Sequence, residues 1–218
     1  MAAMTVRVLV VDDDPLVRSA LVMMLDGAED IVVAAEAEDG ADVPAALDRH
    51  PVDVVLMDLR MPRVDGVTAT ARLRTRPGAP EVLVLTTFDT DEEILGALRA
   101  GASGYLLKDT PPPRIAEAVR RAAAGEATLS SVVARRLVAS AVDHADTADQ
   151  ARARLAELTD REREVVAAIG RGLTNTEIAA ELYVSVATVK AQVSRVLSVL
   201  DVANRTQVAL LAHDAGLV

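Results

Sequence analysis

Five times in the first 125 residues, a short apolar run rich in Val and Leu gives way to a longer amphipathic stretch. The runs are Val6 to Val11, Ile31 to Ala35, Val52 to Met57, Val82 to Leu85 and Gly104 to Leu107, and the stretches after them fall near 15–26, 40–49, 65–75, 91–100 and 112–124. Strands without polar alternation are buried on both faces, so helices must cover the sheet above and below. The pattern predicts an α/β domain, a doubly wound (βα)5 parallel sheet. Asp14 ahead of Pro15 marks the first helix start, because Asp caps free amides and Pro is tolerated at the first helical position.

After about residue 126 the strand-like runs stop. Residues 130–142, SSVVARRLVASAV, read as a helix, and the polar segment 143–156 reads as a linker. Two capping boxes follow, Thr159-x-x-Glu162 and Thr174-x-x-Glu177, each marking a helix start. Ser185 is a third cap, and behind it Val186, Val189, Val193, Val196, Leu197 and Leu200 recur at helical spacing on one face. The expected organisation is an N-terminal α/β domain over 5–124, a helix-containing linker over 125–154, and an all-α domain over 155–218.

The 218 residues, 51% of them hydrophobic, suffice for two cores, and the absence of cysteine excludes disulfides and zinc fingers. His50, His144 and His213 are scattered and suggest no metal site. The N-terminus lacks the pattern of a signal peptide and no stretch is long enough to span a bilayer, so a cytoplasmic protein with no membrane partner is expected. Residues 1–126 carry 13 basic and 22 acidic side chains, against 6 and 7 in residues 158–218. Such acidity argues against nonspecific nucleic-acid binding by the whole chain; any DNA contact must be local.

Functional side chains of an open parallel sheet gather beyond the carboxyl ends of its strands. Here those ends carry Asp12 and Asp13, Asp58, Thr86 and Thr87, and Lys108. Three crowded carboxylates repel one another and so suit a hard divalent cation such as Mg²⁺. A carboxylate beside that ion can attack a phosphoryl group to give an aspartyl phosphate, with Lys108 and the Thr86 hydroxyl available to the added oxygens. Taken singly, these residues have plainer readings: Asp14 as a helix cap, Asp58 as the start of a loop, Thr87 as a loop hydroxyl, Tyr105 as a half-buried sheet aromatic.

The segments VLVVDDDP, VLMDLRMPRVDG, VLVLTT and GASGYLLKD resemble the receiver domain of two-component response regulators over nearly all of 5–124. The resemblance implies a flavodoxin- or CheY-like fold in which Asp58 accepts a phosphoryl group from a sensor histidine kinase. It further implies that Asp12, Asp13, Asp58 and the Arg60 backbone carbonyl hold Mg²⁺, that Lys108 pairs with the phosphate, and that Thr86 and Tyr105 switch conformation. Asp109 follows Lys108 where many receivers have proline, which leaves the geometry of that peptide open.

LTDREREVVAAIGRGLTNTEIAAELYVSVATVKAQVSRVLSVLDVANRTQ is similar to the four-helix helix-turn-helix DNA-binding domain of the NarL/LuxR (FixJ-like) response regulators, over about 155–216. This implies a recognition helix, Val186 to Leu200, in the major groove of double-stranded DNA, with Thr188, Lys190, Ala191, Gln192, Ser194 and Arg195 as candidate contacts. Gln192 replaces the His common in the family, and Ala191 offers only a methyl group. Arg171 and Arg205 are candidates for backbone phosphates, whereas Arg135 and Arg136 read as a solvated face. With so few cations one copy should bind weakly, so a homodimer on two half-sites is expected.

Three alternatives are weaker. Phosphatases and phosphotransferases that form an aspartyl phosphate commonly carry an acid-base Asp two positions after the nucleophile, where this chain has Arg60; a switch is favoured over an enzyme. A receiver that never takes phosphate sits poorly with the intact Asp12, Asp13, Asp58, Thr86 and Lys108 set. RNA would find almost nothing to stack on, with 1% aromatic residues.

Overall fold

The structure, a computed structural model, describes residues 5–87, 90–126, 128–129 and 145–218. The chain divides into two units, one up to Ser130 and one from Ser131 onward. In the first, β1 (Val6–Val11), β2 (Ile31–Ala37), β3 (Val54–Met57), β4 (Glu81–Thr86), β5 (Gly104–Leu107) and β6 (Thr128–Leu129) form one parallel sheet in the order β2-β1-β3-β4-β5-β6. Between them lie α1 (Pro15–Asp26), a 3₁₀ turn (Gly40–Asp42) leading into α2 (Val43–Arg49), α3 (Gly66–Arg74), α4 (Asp91–Arg99) and α5 (Pro112–Ala123).

Alternate residues of the central strands feed two separate apolar layers, as the two-residue period of a strand requires. Val8, Val10, Leu56, Leu83 and Leu85 pack with Leu21 and Leu25 of α1 and with Ile115 and Val119 of α5. Leu9, Val11, Val55, Met57 and Val82 pack with Val43 of α2 and with Ala69 and Leu73 of α3. The doubly wound (βα)5 arrangement is therefore present, with one addition. β6 pairs with the edge of β5, Gly104 with Thr128 and Tyr105 with Leu129, although the sequence reading ends the strands before 126. A two-residue strand is too short to show a period.

The second unit holds α6 (Ala145–Leu155), α7 (Asp160–Gly170), α8 (Asn175–Glu181), α9 (Val186–Val199) and α10 (Arg205–Asp214) around a single core. α6 occupies most of the segment read as linker. Its inward side consists of Ala151 and Leu155, four residues apart on one helical face and buried with Val165, Val166, Ile178 and Val189. Two apolar positions in a run of charged and polar residues do not stand out in a sequence. On α9, Val189, Val193 and Val196 are buried, whereas Val186 is exposed rather than part of the stripe. The helix expected over 130–142, with Arg135 and Arg136, lies outside the described residues. Among the described residues no helix is long and apolar enough to cross a membrane.

Candidate functional site

Ladder hydrogen bonds continue one residue past the strands and fix the side chains at the carboxyl edge. Asp12 N–H donates to the Ala37 carbonyl (3.2 Å), Asp58 N–H to Val11 (2.9 Å) and Lys108 N–H to Thr86 (2.9 Å). Lys108 Nζ then lies 2.6 Å from Asp12 Oδ2 and 3.0 Å from Asp58 Oδ2, bridging two carboxylates that are both buried. One carboxylate oxygen from each of Asp12, Asp13 and Asp58 falls within 4.8 Å of the others, and Asp13 is the exposed member. Three convergent carboxylates suit a hard, oxygen-seeking cation in chemistry and spacing.

The second oxygens of the buried pair are used locally: Asp12 Oδ1 accepts from Asp14 N–H (3.1 Å) and Asp58 Oδ1 from Leu59 N–H (2.8 Å). Burial pushes the Asp12 carboxyl above the usual carboxylate range, and the bond and charge of Lys108 offset this only in part. For Lys108, burial favours the neutral amine, but its bonds to Asp12 and Asp58 outweigh burial and raise its pKa. Arg18 braces the same edge from outside, donating to the Asp12 carbonyl at 2.8 Å and pairing with Glu36 and Glu38.

The remaining strand-end residues fall as follows. Asp14 caps α1 by accepting from Leu16 N–H at 2.8 Å. Thr86 is buried and Thr87 exposed. Tyr105, expected as a switch residue with a half-buried sheet aromatic as the plainer reading, is fully buried at 1% exposure. The Arg60 guanidinium is directed to Glu93 of α4, at 2.9 Å. All peptide bonds in the described residues are trans, including the one between Lys108 and Asp109.

Two kinds of residue escaped the sequence reading. Asp39, buried after β2, accepts from Ala41 N–H (2.9 Å), Arg63 N–H (2.8 Å) and Val64 N–H (3.0 Å), and so ties down the loop between β3 and α3. Its burial favours the protonated form, but the three amides and the Arg63 charge outweigh that and hold the carboxyl below its ordinary value. Gly40 and Gly66 are sites of close backbone approach: an added Cβ would stand 2.5 Å from the Val64 carbonyl oxygen and 2.1 Å from that of Asp58. Asp39-Gly40 after an apolar run was the available signal, and it reads equally well as an ordinary turn.

In the second unit both capping boxes are closed. Thr159 accepts from Glu162 N–H while Glu162 Oε2 accepts from Thr159 N–H (2.8 Å), and Thr174 and Glu177 do the same (2.7 Å). Ser185 caps α9 through Thr188 N–H. Thr188, Lys190, Ala191, Ser194 and Arg195 are exposed along α9, whereas Gln192 is half-buried with its Oε1 shielded. Arg195 Nε lies 2.6 Å from Glu162 Oε1. Arg161 pairs with Glu164, Arg163 with Asp160 and Arg171 with Glu181, while Lys190 has no carboxylate partner among the described residues.

One of the two phosphate candidates is thereby corrected. Arg205 is buried, donating to Asn175 Oδ1 at 2.6 Å and to the Leu173 carbonyl, and it joins the start of α10 to the turn before α8. Arg171 pairs with Glu181 but both side chains are well exposed, so it stays a candidate for a backbone phosphate. A sequence shows a charge but not its partner.

Comparison with known proteins agrees with this geometry. Residues 8–120 match the response regulator receiver domain family, and residues 156–212 match the bacterial regulatory proteins of the luxR family. The chain is 39% identical over 214 residues to the transcriptional regulatory protein LiaR of Bacillus subtilis (98% of this chain, 99% of that one). It is 38% identical over 213 residues to the uncharacterized transcriptional regulatory protein YxjL of the same organism, covering 98% and 97%. The crystal structure of the response regulator ChrA, from a heme-sensing two-component system, is similar at 38% identity and a TM-score of 0.54, over 98% of this chain and 99% of that one. The chain belongs to the response regulators of two-component systems that carry an N-terminal receiver domain and a C-terminal LuxR-type DNA-binding domain.

Proposed function

We propose that this protein is a phosphorylation-dependent transcription regulator in which Asp58 accepts a phosphoryl group from a sensor histidine kinase. The observation that carries the reading is the pair of contacts from Lys108 to Asp12 and Asp58, which joins three strand ends in one site. An Asp58 oxygen attacks the phosphorus of a phosphohistidine, the P–N bond breaks, and the imidazole nitrogen leaves with a proton. Lys108, already at Asp58, follows the charge onto the added phosphoryl oxygens, and the Thr86 hydroxyl serves them as a donor.

Asp12, Asp13, Asp58 and the Arg60 carbonyl would hold Mg²⁺, which when bound neutralises the carboxylate cluster and the incoming phosphate. New charge at Asp58 and the withdrawal of Lys108 bias Thr86 and Tyr105 toward a second arrangement of the receiver surface, which promotes homodimers. The dimer presents two α9 helices to successive major-groove half-sites of double-stranded DNA, with Thr188, Lys190, Ala191, Gln192, Ser194 and Arg195 at the interface. A cytoplasmic location belongs to the same proposal and is supported by the DNA-binding domain.

The test uses a small-molecule phosphodonor with and without Mg²⁺, on wild type and Asp58→Asn, reading intact mass, sedimentation and binding to duplexes selected from a random pool. The expected outcome is one Mg²⁺-dependent phosphoryl adduct, dimerisation and tighter DNA binding, all lost in Asp58→Asn. Retention of the phosphodonor effect on DNA binding by the variant would sink the mechanism.

A further inference from the structure

Glu162 uses its two oxygens for two different purposes. Oε2 closes the capping box of α7, accepting from Thr159 N–H at 2.8 Å and from the Thr159 hydroxyl at 2.7 Å. Oε1 accepts from Arg195 Nε of α9 at 2.6 Å. The partners differ in surroundings: the Glu162 side chain is 7% exposed and that of Arg195 is 70% exposed. A guanidinium held by Nε keeps both terminal nitrogens available, and among the described residues neither of them donates a hydrogen bond to the domain.

That arrangement is more specific than charge neutralisation. A long Arg side chain loses much of its rotamer freedom when fixed in one geometry. Here part of the ordering is already met in the free domain, by a carboxylate whose own position is fixed by the helix start beneath it. Preorganised donors in a fork match the O6 and N7 acceptors of guanine, or two oxygens of one phosphate. Lys190 and Ser194 lie five and one residues before Arg195 in the same helix, and both are exposed.

We infer that Glu162 is the positioning residue for Arg195, orienting its two terminal nitrogens as a bidentate DNA-reading fork; this rests on the proposal that α9 is the recognition helix. The simpler role, a staple between α7 and α9, predicts something different. A staple lowers stability when cut and leaves the ratio of specific to nonspecific binding unchanged.

Duplexes are selected from a random pool with the full-length, phosphodonor-treated wild type. Affinities for a selected duplex and for its scrambled counterpart are then measured for wild type, Glu162→Gln, Arg195→Gln and the double variant, together with thermal unfolding. Gln also satisfies a capping box, so Glu162→Gln keeps its fold. Each single variant is expected to lose about tenfold or more of the preference for the selected duplex, the lower range of a good bidentate contact. The double variant should lose no more than Arg195→Gln. Glu162→Gln should bind the scrambled duplex no more weakly than wild type, and its Arg195 Nε–H resonance should move to the position of a free guanidinium.

Full preference in Arg195→Gln overturns the inference, because Arg195 then reads nothing. Full preference in Glu162→Gln overturns it too, because Arg195 then needs no support. Equal losses on both duplexes, in step with a lowered melting temperature, identify a staple and overturn it as well. Failure of the wild type to enrich any duplex is a separate outcome that removes the DNA-binding reading itself, and the inference with it.

Discussion

Gly66 stands directly against Asp58: a Cβ built on Gly66 falls 2.1 Å from the Asp58 carbonyl oxygen and 2.9 Å from the Leu59 Cα. The contact is backbone to backbone, so no side chain can yield. Gly66→Ala should destabilise the receiver by about 1–3 kcal/mol, the range for overpacked sites, and should displace the loop that carries Asp58. Urea unfolding and the rate of phosphoryl uptake from a small phosphodonor check both effects. An Ala variant with wild-type stability and uptake would contradict the close approach.

Asp39 gives the receiver a pH-dependent anchor. Its folded pKa is depressed, because three backbone amides and Arg63 outweigh the effect of burial. An acid with a depressed folded pKa stabilises the fold above its unfolded value of about 3.9 and loses that contribution as pH falls through the lower folded value. Acidification through that range should therefore lower the protection of the Arg63 and Val64 amides in wild type, read against the intrinsic exchange rate at each pH. Asp39→Asn should exchange faster than wild type at neutral pH and respond less to acid over the same range.

How much of this was legible in the sequence differs from residue to residue. The strand ends at Asp12, Asp58 and Lys108 could be read because each follows a run of apolar residues whose direction and burial the period reveals. The caps at Thr159, Thr174 and Ser185 were equally readable, since both partners lie within four residues. Asp39 was not, because its amides at Arg63 and Val64 are 24 and 25 residues away and belong to a loop without a pattern. Nor were the partners of Arg195 and Arg205, which lie 33 and 30 residues away on other helices. Local rules reach one turn; pairing across the fold requires the packing that brings the helices together.

Arg205 supplies a direct test of one such correction. It is buried against Asn175 Oδ1 and the Leu173 carbonyl. Arg205→Gln should leave buried acceptors unsatisfied and cost about 1–3 kcal/mol of stability. The salt dependence of DNA binding by the folded variant should match that of wild type. A shallower salt slope at unchanged stability would instead return Arg205 to the phosphate contacts.

Lys190 should behave in the opposite way. It is exposed on α9 and has no carboxylate partner among the described residues. Lys190→Gln should leave thermal unfolding unchanged and lower the log–log salt slope of DNA binding by about 1 per protomer, as loss of one phosphate contact requires. Titrations of a selected duplex at several salt concentrations measure this.

The helix caps carry a consequence for the order in which the chain acquires its structure. Thr159, Thr174, Ser185 and Asn204 each start a helix by binding an amide three residues ahead. The instructions for nucleating that unit are thus local, and folds built from local contacts form fastest. The sheet must instead bring Val8 beside Val54 before β1 and β3 can pair. Translation delivers the slow half first and the fast half last, so on a newly made chain the helical unit should reach its native form soon after release, while the sheet depends on the time the ribosome gives it.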